Sequence, residues 1–73
     1  MLREIEIKDQ AQVEKINRLA CEAPYEVWLF TKDMMLDARS LLGLYALVGK
    51  RVNVVTEDDV DPRAVDHLVE KMS

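Results

Sequence analysis

The residues of this chain that could do chemistry are few, and each stands apart from the others. Ser40 opens the stretch "DARSLLGL", a hydroxyl set just before a run of leucines. A serine in that place can cap a helix, and it can also accept a phosphoryl group that adds charge at the helix start. His67 and Cys21 are the only histidine and the only cysteine. Neither has a partner at metal-ligand spacing, and no serine or acid is arranged around His67 as in a catalytic triad. Gly43 and Gly49 are the only glycines, too few for a phosphate-cradling loop. The expectation is a protein that is not an enzyme and holds no metal or cofactor. Cys21 lies beside a helical apolar stripe and reads as a small buried hydrophobe. Met34 and Met35 read as gap-filling side chains of a short strand.

The elements that must position these residues follow from the pattern of apolar side chains. "REIEIK" alternates and reads as a half-buried strand. Asp9 then stands as a helix cap before "QAQVEKINRLACEA", where Val13, Ile16, Ala20 and Ala23 recur at helical spacing until Pro24. "YEVWLF" reads as a strand, "TKD" as a turn and "MMLD" as the returning strand of a hairpin. "SLLGLYAL" is a short helix with Leu44 and Leu47 turned inward, which leaves Leu41, Leu42 and Tyr45 partly outside. Gly49 ends it. "RVNVVT" is a further strand and "EDDVD" an acidic turn. Asp61-Pro62 then starts a helix whose stripe is Val65, Leu68, Val69 and Met72. His67 points away from that stripe.

The order β-α-β-β-α-β-α contains a split β-α-β arrangement plus a C-terminal helix. Right-handed crossovers would place the helices on one face of an antiparallel sheet and leave the other face open. Trp28 and Phe30 alternate with Val27 and Leu29, so one of these pairs points away from the helices.

Size and charge narrow the function. Seventy-three residues make one domain with one core and little room for a deep cavity. The formal net charge is −4 and the ten basic residues are scattered, only Lys50 and Arg51 being adjacent. Nucleic acid and anionic membrane both need clustered positive charge, so neither is expected as a partner. No apolar run approaches the length of a membrane span or a signal-peptide core. With one cysteine no internal disulfide can form, and the cytoplasm is the expected compartment.

Two stretches, "DARSLLGLYAL" and "VNVVTEDDVDPRAVDHLVEKM", resemble the phosphocarrier protein HPr of the bacterial phosphoenolpyruvate-dependent sugar phosphotransferase system. They cover about half of the chain, and the element order matches over all of it. The resemblance implies an HPr-like α+β open-faced sandwich over residues 1–73, with a four-stranded antiparallel sheet and three helices on one face. It also implies a protein partner of HPr type: a kinase, a regulator or a phosphotransferase component. In some members of the family the serine aligned with Ser40 is phosphorylated by an ATP-dependent kinase, and the modified protein binds a transcriptional regulator. The patch after that serine, here Leu41, Leu42 and Tyr45, docks partners in the family.

The departure lies between the first strand and the first helix. HPr-like proteins carry a glycine, the phosphorylated histidine and an Arg-Pro step there. This chain reads "IKDQAQVEKI", shorter and without any of the three. Asp9 and Gln10 fall where the histidine would stand. Phosphohistidine transfer needs an imidazole nitrogen, and a carboxylate at the helix start opposes a docking anion. The expectation is therefore a relative that carries no phosphate on histidine and acts by protein–protein contact or regulation through Ser40, Leu41 and Leu42. Two alternatives stay open. One is a genuine phosphocarrier with a different acceptor, Asp9 or His67. The other is a small-ligand-binding module of ferredoxin-like architecture. Monomer and homodimer are both allowed.

Overall fold

The computed structural model describes residues 3–73. The elements are β1 (Arg3–Glu6), α1 (Gln10–Glu22), β2 (Val27–Phe30), β3 (Met35–Asp37), α2 (Leu41–Tyr45), β4 (Arg51–Thr56) and α3 (Pro62–Met72). The order is that expected from the sequence. The strands lie β1-β4-β2-β3, and every neighbouring pair is antiparallel. It follows that β1 and β2 run parallel with β4 between them, joined by α1. Likewise β3 and β4 run parallel with β2 between them, joined by α2. This is the split arrangement. The result is an α+β open-faced sandwich.

The layers follow from strand alternation. Ile5 of β1, Val27 and Leu29 of β2, and Val52 and Val54 of β4 face the helices and are at most 5% exposed. Val13, Ile16 and Ala20 of α1 meet them, as do Leu44 and Leu47 of the α2 region and Leu68 and Met72 of α3. Each aliphatic side chain fully buried this way contributes about 1.5–3 kcal/mol. No charged or polar residue is buried among those described. Trp28 and Phe30 are the pair that points away from the helices, which settles the alternation left open by the sequence.

Local chemistry fixes the element ends. Asp9 caps α1 by accepting from the Gln12 N–H, and Asp61 caps α3 by accepting from Arg63 N–H, with Pro62 in the first turn. Arg3, on β1, donates to Asp66 of α3 at 2.6 Å and so ties the C-terminal helix to the sheet edge. Gly49 has φ +88, a conformation that costs other residues more than glycine. There its N–H reaches the Ile7 carbonyl at 2.6 Å while Ile7 N–H returns to Lys50 O.

Several expectations need correction. Cys21 is exposed, not buried: it follows Ala20, which faces the core, and each helical step turns the side chain by about 100°. Met34 and Met35 are 44% and 58% exposed and fill no gap, because β3 lies at the sheet edge and Met35 faces the open side. Tyr25 and Glu26 precede β2, and Met34 belongs to the turn, where its carbonyl accepts from Thr31 N–H. The second helix is only five residues long and continues as turns through Gly49. Ala23 is the C-cap of α1 and only half-buried.

Candidate functional site

Two corners of the molecule hold the residues singled out by the sequence, one at the start of α1 and one at the start of α2. At the first, Asp9 and Gln10 are exposed, and Asp9 lines an open depression of about 620 Å³ whose rim mixes it and Glu4 and Glu6 with Lys8, Lys15 and Arg51. The Arg51 guanidinium is already engaged by Glu4 at 2.7 Å, and Lys15 donates to the Ser73 carbonyl.

The helix start itself is closed by the chain's own groups. Asp9 Oδ1 accepts from Gln12 N–H at 2.9 Å. The Gln12 side chain then does three further things. Its Oε1 accepts from the Lys8 N–H, and its Nε2 donates to the carbonyls of Glu6 and Met72. One amide thus joins the end of β1, the start of α1 and the end of α3. Sequence reasoning missed Gln12. The one clue was a glutamine in the third position after a capping aspartate, a place from which a side chain can turn back to the preceding loop. The arrangement puts a carboxylate at the positive end of α1 and no imidazole near it, which disfavours an incoming anion.

The second corner is built differently. Asp37 ends β3, and its Oδ1 accepts from the Arg39 N–H at 2.9 Å, which shapes the turn. Arg39 wraps back onto the same carboxylate through Nε and Nη2, and also reaches Glu26 at 2.6 Å. The side-chain bond from Arg39, then the backbone bond from its N–H, hold the Asp37 carboxyl below its usual range; the same contact raises the Arg39 guanidinium. Asn17 of α1 donates to the Ala38 carbonyl at 3.3 Å and anchors the turn from the other side.

Ser40 occupies the N-cap position of α2, yet its hydroxyl makes no capping bond. This corrects the expectation of a serine cap. The turn is closed by backbone and by Asp37 instead: Ser40 N–H donates to Asp37 O, and the Ser40 carbonyl accepts from Leu44 N–H. The hydroxyl is left exposed over the first turn, close to Gly43.

Beyond Ser40 the helix divides sharply. Leu44 and Leu47 are fully buried, whereas Leu42 is 85% exposed and Leu41 and Val48 are each 39% exposed. Tyr45 is half-buried and packs against the core. Leu41, Leu42 and Tyr45 therefore stand on one short helix, and Val48, which the sequence did not single out, is exposed in the turns that follow it.

His67 lies on α3, exposed, facing an open groove beside Tyr25, Leu68 and Lys71. It is on a different element from Asp9, Gln10 and Ser40. Among the described residues no group of three or more His, Cys, Asp or Glu side chains is placed to hold a metal ion. No described helix is long and apolar enough to cross a membrane.

Together the sheet order, the three helices on one face and the strand–turn–serine–helix corner define an HPr-like open-faced sandwich. Among solved structures, HPr-C-His from Thermoanaerobacter tengcongensis matches it with a TM-score of 0.74 over 99% of this chain and 90% of that one, at 21% identity. No sequence-family model matches the chain, and no characterised protein matches it in sequence. The likeness is one of fold.

Proposed function

We propose that this chain is an HPr-like interaction or regulatory protein that does not carry phosphate on histidine and binds a protein partner through the Ser40–Leu41–Leu42 helix. The observation that carries the reading is Leu42, 85% exposed in the middle of an apolar turn in which Leu44, two residues on, is fully buried. A leucine held in water next to Leu41 gives a small apolar surface suited to a partner. Ser40, whose hydroxyl makes no capping bond, stands at its edge as a candidate for phosphorylation. A phosphate there would change the charge beside the leucines and so regulate docking. The partner would be of HPr type: a kinase, a regulator or a component of the phosphotransferase system.

The α1 corner supports the negative half of the proposal. On this reading Asp9 and Gln10 stand in for the family's histidine, and Asp9 is engaged as a cap. That occupation also speaks against Asp9 as a relocated acceptor. The test is capture of binding proteins by the wild-type chain and by Leu42→Asp. The expected result is a specific binder lost in the variant, with both proteins folded. Equal capture by the two would overturn the proposal.

A further inference from the structure

β1 is one edge of the sheet, with β4 as its neighbour on the inner side. The register fixes which way each of its backbone groups points. Ile7 N–H donates to the Lys50 carbonyl, and the Ile7 carbonyl accepts from Gly49 N–H. Successive strand residues turn their N–H and C=O groups to opposite sides, so Ile5 and Arg3 also bond toward β4. Glu4 and Glu6 therefore turn theirs outward. The Glu6 carbonyl meets the Gln12 amide. The N–H and C=O of Glu4 and the N–H of Glu6 have no hydrogen-bond partner among the described residues. The edge is also hollowed. Glu4, Ile5 and Glu6 in succession line the open depression of about 620 Å³. Their side chains alternate between the two faces of the sheet, so successive residues share one hollow along the edge of the strand. Ala11 and Lys15 of α1 wall it on the helix side.

These groups select their occupant. Open N–H and C=O groups on alternate residues, about 7 Å apart, match an extended backbone. A helix has no backbone groups to offer them, because its own hydrogen bonds use them. A second copy of this chain fits poorly. Within β1 the outward groups belong to Glu4 and Glu6. Every antiparallel register that pairs two or more β1 residues with β1 of another copy therefore sets a glutamate directly opposite a glutamate. Like charges opposed across two strands destabilise the pair. The same charge favours a cation on the incoming strand. Arg51 stands opposite Glu6 in the register but bonds Glu4 at 2.7 Å, and Glu6 has no ion pair among the described residues.

We infer that the outer edge of β1 docks an extended segment of a partner protein, which adds to the sheet as a fifth strand and sets a lysine or arginine opposite Glu6. This is recognition by strand addition, in which main-chain bonds hold the segment and alternate side chains give selectivity. It is independent of the α2 surface, which follows β3 at the other end of the strand order and uses other residues.

The backbone amides of Glu4 and Glu6 report directly on the edge. The intact, isotope-labelled chain is titrated, to millimolar concentration because the contact is small, with a peptide of about seven residues that alternates valine and lysine. The expected result is amide exchange at Glu4 and Glu6 slowed at least about tenfold at saturation, with one peptide per chain. A peptide of alternating valine and glutamate binds at least about threefold more weakly. Backbone N-methylation of one alternate set of peptide residues abolishes binding, and N-methylation of the other set leaves it, since one edge of the added strand faces β1. Glu6→Pro removes one outward N–H and leaves the Ile5 and Ile7 bonds to β4 in place, as proline at a sheet edge does; it weakens the lysine peptide about fivefold or more. Glu6→Lys keeps the backbone and reverses the preference between the lysine and glutamate peptides, while Leu42→Asp changes nothing. The inference is overturned by unprotected Glu4 and Glu6 amides, by equal binding of the two charge types, or by N-methyl peptides that both bind or both fail. It is overturned equally by binding that ignores Glu6→Pro and Glu6→Lys, or by binding lost in Leu42→Asp. Protection of the two amides on concentrating the protein alone also overturns it, since a second copy would then be the occupant.

Discussion

The starts of α1 and α2 are alike in sequence and opposite in construction. Each helix follows a strand, and each has a polar capping residue, Asp9 or Ser40. At α1 the cap is made, and the Gln12 amide meets three backbone groups, in β1, in the loop after it and in α3. At α2 the cap is not made, the hydroxyl is idle, and a leucine two residues on stands in water. The first corner is satisfied from within. The second leaves the Ser40 hydroxyl without a capping bond and Leu42 exposed. The docking surface proposed at α2 rests on this difference.

The largest expected effect separates two leucines of the same helix. Leu44→Ala removes a fully buried side chain and should cost about 2–5 kcal/mol in chemical denaturation. Leu42→Ala should stay within about 0.5 kcal/mol, as surface changes do. A large loss at Leu42 would mean that it supports the fold, and the contrast between the corners would fail.

Gln12→Ala comes next. It strips a donor from two carbonyls and an acceptor from the Lys8 N–H, and it should cost about 1–2 kcal/mol, since water reaches part of this site and replaces some of what is lost. The paired caps sharpen the comparison further. Asp9→Ala should lose about 1 kcal/mol, while Ser40→Ala should change stability by no more than a few tenths, because only the first makes its bond. Equal losses would contradict the geometry at Ser40.

The smallest effect concerns acid. Asp37 has a folded carboxyl lowered by Arg39, so the unfolded chain binds this proton more readily. Its contribution is present above the ordinary carboxylate range and is lost as pH falls through the lowered folded value. Denaturation midpoints measured from neutral pH downward should fall less steeply for Asp37→Asn than for the wild type, by a modest margin at so exposed a site.

The element order was legible because the periods are clean. Ile5 and Ile7 alternate with glutamates, and Val13, Ile16 and Ala20 keep helical spacing. Asp61-Pro62 announced α3 through an aspartate cap and a proline that needs no N–H. The exposed position of Leu42 followed from the inward spacing of Leu44 and Leu47. Other features depend on contacts between distant residues and left no local trace. Gln12 looks like any polar helix residue until Met72 and Glu6 are brought beside it. Ser40 looks like a cap until Asp37 and Arg39 close the turn without it. Cys21 was misplaced by a single step around the helix. Which of the two β2 pairs faced outward was set only by the helices that cover Val27 and Leu29.

The most direct measurement is phosphoryl transfer itself. The chain would be incubated with phosphoenolpyruvate and the first enzyme of the phosphotransferase system, with a histidine-bearing HPr alongside as the positive control. A closed α1 corner without an imidazole predicts no acid-labile phosphate on this protein while the control is labelled. Label on this chain, at Asp9, His67 or elsewhere, would contradict the account.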